Sequence, residues 1–352
     1  MTEILVNGRF RGRPVSGVAR YASEVLRGCN GQVTVLAPRR PLRGLAGHVW
    51  EQIALPRLAR QAPSPTWQGL LWSPANTGPL AVSRQVLTIH DLSPLDHPEW
   101  FAPAFALWYQ MLLPPLARRV RRVLTPSTFS RGRVIQRLGL PEEKVLAVPG
   151  GVEPAHFHPT EPAAVRARYG LAGPYLLFVG TLEPRKNLST LLSAWEILCP
   201  ANPALELVIA GGRSPVFRSA LPAKDQTRPT RVRFLGTVPD LDLPGLYSGA
   251  VALVLPSLYE GFGLPVLEAM ACGTPAISSR AGALAETAGE AAILVDPADS
   301  QGLSRAIEQI LRDEGLRAEL QRRGFERAAS FPWSQTAGRM WKIFQDEAES
   351  HG

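Results

Sequence analysis

Cysteine, lysine and long apolar runs are all scarce in this sequence. Its three cysteines, Cys29, Cys199 and Cys272, are far apart and form no C-x-x-C pair. That excludes a disulfide framework and a cysteine-built zinc site, and fits a reducing compartment. No stretch of about 18 unbroken apolar residues occurs, so no transmembrane helix is expected. Met1 to Gly8 reads as a first strand, with no basic segment leading into an apolar one, so no secretory signal is expected. The chain is therefore expected in the cytoplasm. Internal repeats and low-complexity tracts are also missing, the 31 Gly and 33 Pro being spread as turn punctuation. With 45% hydrophobic and 19% charged residues, the composition is that of a globular protein, neither disordered nor fibrous.

Only four of 38 basic residues are lysine: Lys144, Lys186, Lys224 and Lys342. The charge is also unevenly placed. Residues 1–160 hold 19 basic residues against nine acidic ones, a net of +10, so the whole formal +8 belongs to the first half. Such a half suits an anionic partner such as membrane lipid, a phosphorylated acceptor or nucleic acid. The alternative is a set of solvated arginines. Nucleic acid is not expected, because no aromatic-interleaved basic motif appears.

At 352 residues the chain exceeds one core and suits two domains of about 150 residues each. Short β-rich runs alternate with helical stretches, the pattern of parallel α/β sheets. In the first half the strands are Ile4–Val6, Val33–Leu36, Gly69–Trp72, Val86–Ile89 and Val123–Thr125, with helices over Gly17–Arg27 and Ser130–Leu138. Ser127 is the expected N-cap of the latter, with Gly139 and Pro141 ending it. Val145–Val152 closes the domain, and Glu153–Glu161 reads as a linker. The alternation restarts with Tyr175–Gly180, helix Leu188–Leu198, Leu205–Ala210, Val232–Leu235 and Val251–Leu255. Gly263-Leu264-Pro265 opens a helix. Pro275–Ser278 and Ala292–Val295 are late strands, followed by helices from Ser300 and Glu314 and a helical tail over Phe331–Glu349. The expected organisation is a doubly wound domain over 1–155, a second over 162–330, and a C-terminal helix over 331–352 that packs back onto the first.

In open α/β sheets ligands sit beyond the carboxyl ends of strands, near helix N-termini. The strongest constellation of polar groups at such a place runs from Pro256 to Met270. There Glu260 and Glu268 flank the Gly261-Phe262-Gly263 turn, whose bare backbone admits a ligand closely. Carboxylates accept hydrogen bonds from hydroxyls, which suits a polyhydroxylated ligand. The plain structural reading is a loop glutamate plus a first-turn glutamate balancing the helix dipole.

These residues form an E-x7-E pattern within EGFGLPVLEAMACGTP, which resembles the donor-site motif of retaining glycosyltransferase family 4, a family with the GT-B fold. Further segments share the resemblance. Gly180-Thr181-Leu182-Glu183-Pro184-Arg185-Lys186-Asn187-Leu188 is similar to the family's strand-to-helix phosphate segment. Val148-Pro149-Gly150-Gly151-Val152, followed by Phe157 and Pro159, is similar to its interdomain stretch, with Gly150 where Asn is usual. Gly236-Thr237-Val238-Pro239 resembles the turn beside the nucleotide base. Residues 120–310 match most closely and the first domain more loosely.

The resemblance implies an α/β, GT-B architecture: two Rossmann-like doubly wound parallel-sheet domains facing a central cleft. It implies that Glu268 binds the ribose hydroxyls and that Glu260, with Gly261, Phe262, Gly263 and Leu264, holds the transferred sugar. Gly180 and Val238 line the donor site. Arg185 and Lys186 neutralise the diphosphate as the glycosidic bond breaks; a basic pair on a solvated turn is the alternative. His90, at the end of the strand Val86–Ile89, touches the sugar or the reacting centre, although a lone histidine is more often structural. Gly17 matches a loop near the diphosphate, where the family often has two glycines and this chain has Ser16-Gly17.

Val6–Phe10, Ser16–Tyr21, His90-Asp91-Leu92 and His97-Pro98-Glu99-Trp100-Phe101 resemble bacterial mannosyltransferases of surface-polysaccharide assembly. The expected donor is GDP-mannose, with UDP-sugars as the alternative, and the expected acceptor a glycan or lipid-linked sugar. No cofactor is expected, and no metal, since no D-x-D pair lies in a suitable loop. Without an enzymic nucleophile and partner base, front-face substitution is the expected route. Phe101–Leu116, apolar and aromatic, followed by Arg118, Arg119, Arg121 and Arg122, reads either as an interfacial helix that contacts anionic membrane on its inner face or as a core-packed helix with a basic end. Two other classes compete. A nucleotide-sugar epimerase needs an acid/base set not found here, and a non-catalytic nucleotide-binding protein sits poorly with intact Glu260, Glu268, Arg185 and Lys186.

Overall fold

A computed structural model describes residues 4–12, 16–29, 33–42, 44–61, 69–217 and 230–349. The first half contributes strands β1 (Ile4–Asn7), β2 (Val33–Leu36), β3 (Leu70–Ser73), β4 (Gln85–Thr88), β5 (Arg122–Thr125) and β6 (Val145–Ala147). Its helices are α1 (Gly17–Gly28), α2 (Gly44–Val49), α3 (Leu55–Arg60), α4 (Ser93–Asp96), α5 (Pro103–Arg119) and α6 (Thr128–Leu138). A π-helical turn, Trp50–Ala54, joins α2 to α3. In the second half the strands are β7 (Tyr175–Val179), β8 (Glu206–Ala210), β9 (Val232–Gly236), β10 (Ala252–Leu255), β11 (Ala276–Ser279) and β12 (Ala292–Val295). The helices there are α7 (Ala163–Tyr169), α8 (Leu188–Leu198), α9 (Leu243–Ser248), α10 (Leu264–Ala271), α11 (Leu284–Ala288), α12 (Ser300–Arg312), α13 (Glu314–Ala329) and α14 (Trp333–Glu349).

The strands build two all-parallel six-stranded sheets, ordered β2-β1-β3-β4-β5-β6 and β12-β11-β10-β7-β8-β9. Parallel sheets are covered on both faces, which is why strands such as Leu253-Val254-Leu255 are uninterrupted apolar runs and fully buried. In each sheet the direction of winding reverses once, between β1 and β3 in the first and between β7 and β10 in the second. Those reversals are where ligand crevices form in open α/β sheets.

The chain clusters into two units. One comprises Met1–Asp96, Ala106–Gly150 and Trp333–Gly352; the other comprises His97–Phe105 and Gly151–Pro332. In the first unit α14 lies against α1, so tightly that a Cβ on Gly28 would come 2.2 Å from that of Ala337. Phe344 of α14 tilts against Trp72 of β3, and Trp333 meets the edge of Tyr21. The Tyr21 hydroxyl donates to the Val148 carbonyl at 3.0 Å. In the second unit Trp195, Tyr175, Tyr247, Phe157 and Phe178 are the largest fully buried side chains.

Local signals explain most boundaries. Ser127 caps α6 by accepting from Ser130 N, and Gly139 ends it in the left-handed region at φ 63°. The helix starts at Thr128 instead of Ser130, directly after its cap. The last helix starts at Trp333 instead of Phe331, because Phe331 and Pro332 are taken up in backbone pairing with Val152. The helical segments α2, α3, α4, α7, α9 and α11 were not expected from the sequence; all are seven residues or shorter, and α3 and α9 start with proline in the first turn.

The Phe101–Leu116 run is core-packed along one face of its helix. In α5, Ala106, Tyr109, Leu112, Leu113, Leu116 and Ala117 face the core, leaving Leu107 and Met111 exposed. Of the arginines that follow, Arg118 donates to Leu138 O at 3.3 Å, Arg121 donates to Glu347 O, and Arg122 pairs with the Glu347 carboxylate. Among the described residues no helix is long and apolar enough to cross a membrane.

Candidate active site

Arg185, Lys186 and Glu260 meet at the winding reversal of the second sheet. The two cations follow β7 and the carboxylate follows β10, the strands on either side of that point. Pro184–Lys186 forms one 3-10 turn, closed by Asn187 in the left-handed region at φ 55°. The Asn187 amide donates to Pro256 O at 3.0 Å and to Pro297 O at 2.7 Å, tying the β7 loop to the end of β10. From the other side Leu258 N donates to Arg185 O at 2.7 Å. Lys186 Nζ then lies 2.5 Å from Glu260 Oε1, and Arg185 reaches Glu260 Oε2 at 2.9 Å and Glu183 Oε1 at 2.8 Å.

The electrostatics follow from that packing. Glu260 is only 5% exposed, and burial alone would raise its pKa. The charges of Lys186 and Arg185, with hydrogen bonds from Lys186 and Ser257, outweigh burial and hold it down at about 2. Two carboxylates, Glu183 and Glu260, thus face two cations, a set of near-zero net charge at neutral pH. The cations are held by fixed counter-charges and tied backbone before any ligand arrives, the arrangement that suits stabilisation of a developing anion.

Around this cluster three strand ends carry bare backbone. Gly180 N donates to Ala210 O, Gly211 N to Gly236 O, and Leu182 N to Gly212 O. A Cβ on Gly211 would stand 1.8 Å from Gly180 O, so no other residue fits there. Gly180 in turn backs the stem of Lys186. The pair Gly211-Gly212 was missed in the sequence, although two glycines directly after an apolar strand were the available signal. Thr237 and Val238 leave β9 beside Gly212.

The turn Gly261-Phe262-Gly263 leads into α10, whose first residue is Leu264. Phe262 O accepts from Thr287 Oγ1 at 2.6 Å, and the ring packs edge-on against Phe331. Glu260 itself is clasped by Gly282, where φ is +64° and a Cβ would come within 2.6 Å of the Glu260 backbone. Glu268, buried inside α10, accepts from the Tyr247 hydroxyl at 2.8 Å. The two glutamates of the motif therefore have different partners: one is anchored by cations, the other by a phenol.

His90 and Gly17 belong to the first unit. His90 follows β4 and is buried; its Nε2 lies 2.8 Å from Pro74 O, so Nε2 carries a proton, and its backbone N–H donates to Asn76 Oδ1 at 2.7 Å. Burial lowers its pKa, against smaller opposing effects from Pro74 and Asp91, so the ring is neutral at pH 7. Gly17 opens α1, where Ser16 caps by accepting from Ala19 N at 3.3 Å. Pro14 and Val15 of the same motif lie outside the described residues. Near this sheet's own winding reversal lies a buried polar network: fully buried Glu51 accepts from Asn7 Nδ2 at 2.6 Å, Arg9 Nε at 3.2 Å and Thr77 Oγ1 at 2.8 Å.

Comparison with known proteins identifies the family. The sequence profile of glycosyl transferases group 1 matches residues 167–327, and that of glycosyltransferase family 4 matches residues 61–156. The O-antigen chain mannosyltransferase B of Escherichia coli is 35% identical over 263 residues, covering 72% of this chain and 68% of the relative. The chain belongs to glycosyltransferase family 4. This family-4 chain is also 34% identical over 239 residues to the D-inositol 3-phosphate glycosyltransferase of Acidothermus cellulolyticus, covering 64% of itself and about half, 53%, of that relative. In fold it resembles HepE of Anabaena, solved with UDP-glucose, at a TM-score of 0.77 and 19% identity, over 98% of this chain and 100% of the other. The family-4 chain is thus a glycosyltransferase with the GT-B fold class expected from its sequence.

Proposed function

We propose that this glycosyltransferase moves a sugar, mannose from GDP-mannose in the first instance, onto a glycan or lipid-linked acceptor in surface-polysaccharide synthesis. The single observation that carries the donor site is the Arg185–Lys186–Glu260 cluster at the second sheet's winding reversal. Arg185 and Lys186 neutralise the departing diphosphate, Glu260 with the Gly261–Leu264 amides holds the sugar, and Glu268 takes the ribose. Gly180 and Val238 border the nucleotide, and by the family resemblance Gly17 is assigned to the diphosphate and His90 to the sugar. Transfer proceeds with retention: the bond from the anomeric carbon to phosphate oxygen breaks as the acceptor oxygen bonds on the same face, and the leaving oxygen takes the acceptor's proton. No metal takes part. The sole Asp-x-Asp in the chain supports this, since Asp242 is committed to Arg168 and Tyr169, and Asp240 to His156.

Mannose is favoured by the 35% identical mannosyltransferase, and a UDP-sugar is the alternative. The test is a thermal-shift panel with GDP, UDP, ADP, GDP-mannose and UDP-glucose, without metal. A ligand at 100 times its Kd stabilises by about 2.7 kcal/mol, which moves the midpoint visibly. Selective stabilisation by guanine ligands supports the mannose reading; selectivity for UDP transfers it to the alternative, and no shift removes the donor site.

A second reading concerns location, on the inner face of an anionic membrane. Leu107 (57% exposed) and Met111 (68%) sit one turn apart on α5. The neighbouring α2–α3 run, joined to α5 by Trp108 Nε1 donating to His48, exposes Val49 and Ile53 with Arg57 and Arg60 close by. Apolar side chains edged by arginine in a unit of high positive charge suit anionic lipid. Sedimentation with phosphatidylglycerol vesicles, lost in a Leu107→Glu/Met111→Glu variant, is the expected outcome; equal sedimentation of both proteins sinks it.

A further inference from the structure

His97–Phe105 is a strap that clusters with the second unit although its sequence neighbours on both sides belong to the first. Phe101 is its anchor: 3% exposed, it lies 5.0 Å from the Phe217 ring, bridges that residue, and is followed by Ala102 N donating to Val216 O at 2.8 Å. Ahead of the anchor, Pro98–Trp100 forms one 3-10 turn. That turn folds His97 flat onto Trp100, with ring centroids 3.9 Å apart and planes within 11°. The His97 ring also meets the edge of Tyr259 at 5.8 Å. Tyr259 is buried, its carbonyl accepts from Arg185 at 3.2 Å, and the next residue is Glu260. The stacked aromatic pair therefore touches the ring of the residue that precedes Glu260 and whose carbonyl binds Arg185. Beside it stands the Glu99 carboxylate, 60% exposed and 3.1 Å from His97 Nδ1.

We infer that His97, Glu99 and Trp100 form a subsite for a neutral pyranose of the acceptor. A pyranose presents an apolar C–H face, which packs on an aromatic plane, and a rim of hydroxyls, which a carboxylate accepts in pairs. Glu99 is exposed and the two rings are partly so, on a short turn fixed at one end by Phe101 and at the other by Tyr259. Packing between two rings of a solvated turn does not require an exposed carboxylate at its rim; binding of a hydroxylated ring does. The negative charge of Glu99 also disfavours a phosphorylated or acidic sugar in that position. This assignment rests on the transferase reading, and it specifies the acceptor side of that reaction.

The test uses the full chain saturated with GDP or UDP and follows saturation-transfer NMR to methyl α-D-mannopyranoside and methyl α-D-glucopyranoside. The variants are Trp100→Ala, Trp100→Phe and Glu99→Gln. The expected result is at least fivefold weaker glycoside binding in W100A and E99Q, retention in W100F, and an unchanged nucleotide-induced midpoint shift in all three. Glu99 is exposed, so E99Q remains informative if W100A does not fold. Glycoside binding equal to the unaltered chain in E99Q and W100A overturns the subsite while leaving the donor site standing. Weaker binding of the nucleotide sugar, with binding of the bare nucleotide and the glycoside unchanged, overturns it too, because the stacked ring is then the transferred sugar. A nucleotide that stabilises none of the proteins is failure of the transferase reading itself.

Discussion

Lys186 illustrates how a residue can be set for catalysis by its neighbours. Its ammonium is nearly enclosed, and Glu260, Gly180 and the Asn187 tie leave it little freedom. Under the proposed route, Lys186→Ala removes one preorganised charge from the leaving group, an effect of about 10²–10³ in turnover. Steady-state transfer with the nucleotide shift as a folding control measures it; near-normal turnover takes the leaving-group role away from Lys186. Glu260→Gln separates two roles. Losing one of the cluster's two negative charges is expected to tighten free nucleoside diphosphate several-fold, while transfer falls because the sugar loses its acceptor carboxylate. Calorimetric titration of GDP and UDP beside a transfer assay decides this. The same substitution has a pH signature. With its folded pKa at about 2 against 4.5 ordinarily, Glu260 contributes stability that is fully present above about pH 4.5 and is lost as pH falls through 2. Urea midpoints between pH 2 and 5 should therefore fall less steeply with acid in E260Q than in the unaltered chain.

At the scale of elements, what positions the cluster is the crowding of β7, β8 and β9 at their carboxyl ends. Gly211→Ala drives a methyl group into Gly180 O, 1.8 Å from where its carbon would stand, so the Lys186 loop must shift or the strands part. Loss of nucleotide-dependent stabilisation with at least a modest fall in midpoint is expected, whereas Gly338→Ala, where nothing lies within 4 Å of the added carbon, serves as the silent control. How far these elements could be read from sequence depended on the signal each carries. Helix Leu188–Leu198 and the cap at Ser127 were legible because local residue chemistry sets them. The strands were legible as apolar runs, with ends shifted by a residue because hydrogen bonding to neighbouring strands sets the ends. The cluster Arg185–Lys186–Glu260 was legible only through resemblance, since contact between residues 75 apart leaves no local trace. Gly211-Gly212 and the buried Glu51 network were not read at all. The first needs knowledge of which strand lies alongside; the second hangs on a π-helical turn that no periodicity announces.

At the scale of the molecule, the chain passes between its two units four times, and the last passage delivers α14 to the unit where the chain began. Trp333, Met340 and Phe344 are each 4% exposed or less there, and Thr336 donates to Pro149 O at 2.8 Å. Fully burying one such large apolar side chain is worth about 1.5–3 kcal/mol, so the three together are comparable with the lower part of the 5–15 kcal/mol margin of an ordinary domain. Ending the chain at Pro332 would also strip one side of Trp72 and of α1. The first unit is then expected to lose cooperative unfolding. The second holds its own sheet, its own core and the Arg185–Lys186–Glu260 cluster, so it should still unfold in one transition that GDP or UDP raises. Calorimetry of the shortened chain, with and without nucleotide, separates the cases. One surviving transition that responds to nucleotide means that each unit's stability is its own; a chain with no transition at all means that the second unit depends on the first; two unchanged transitions mean that α14 covers a core able to stand without it.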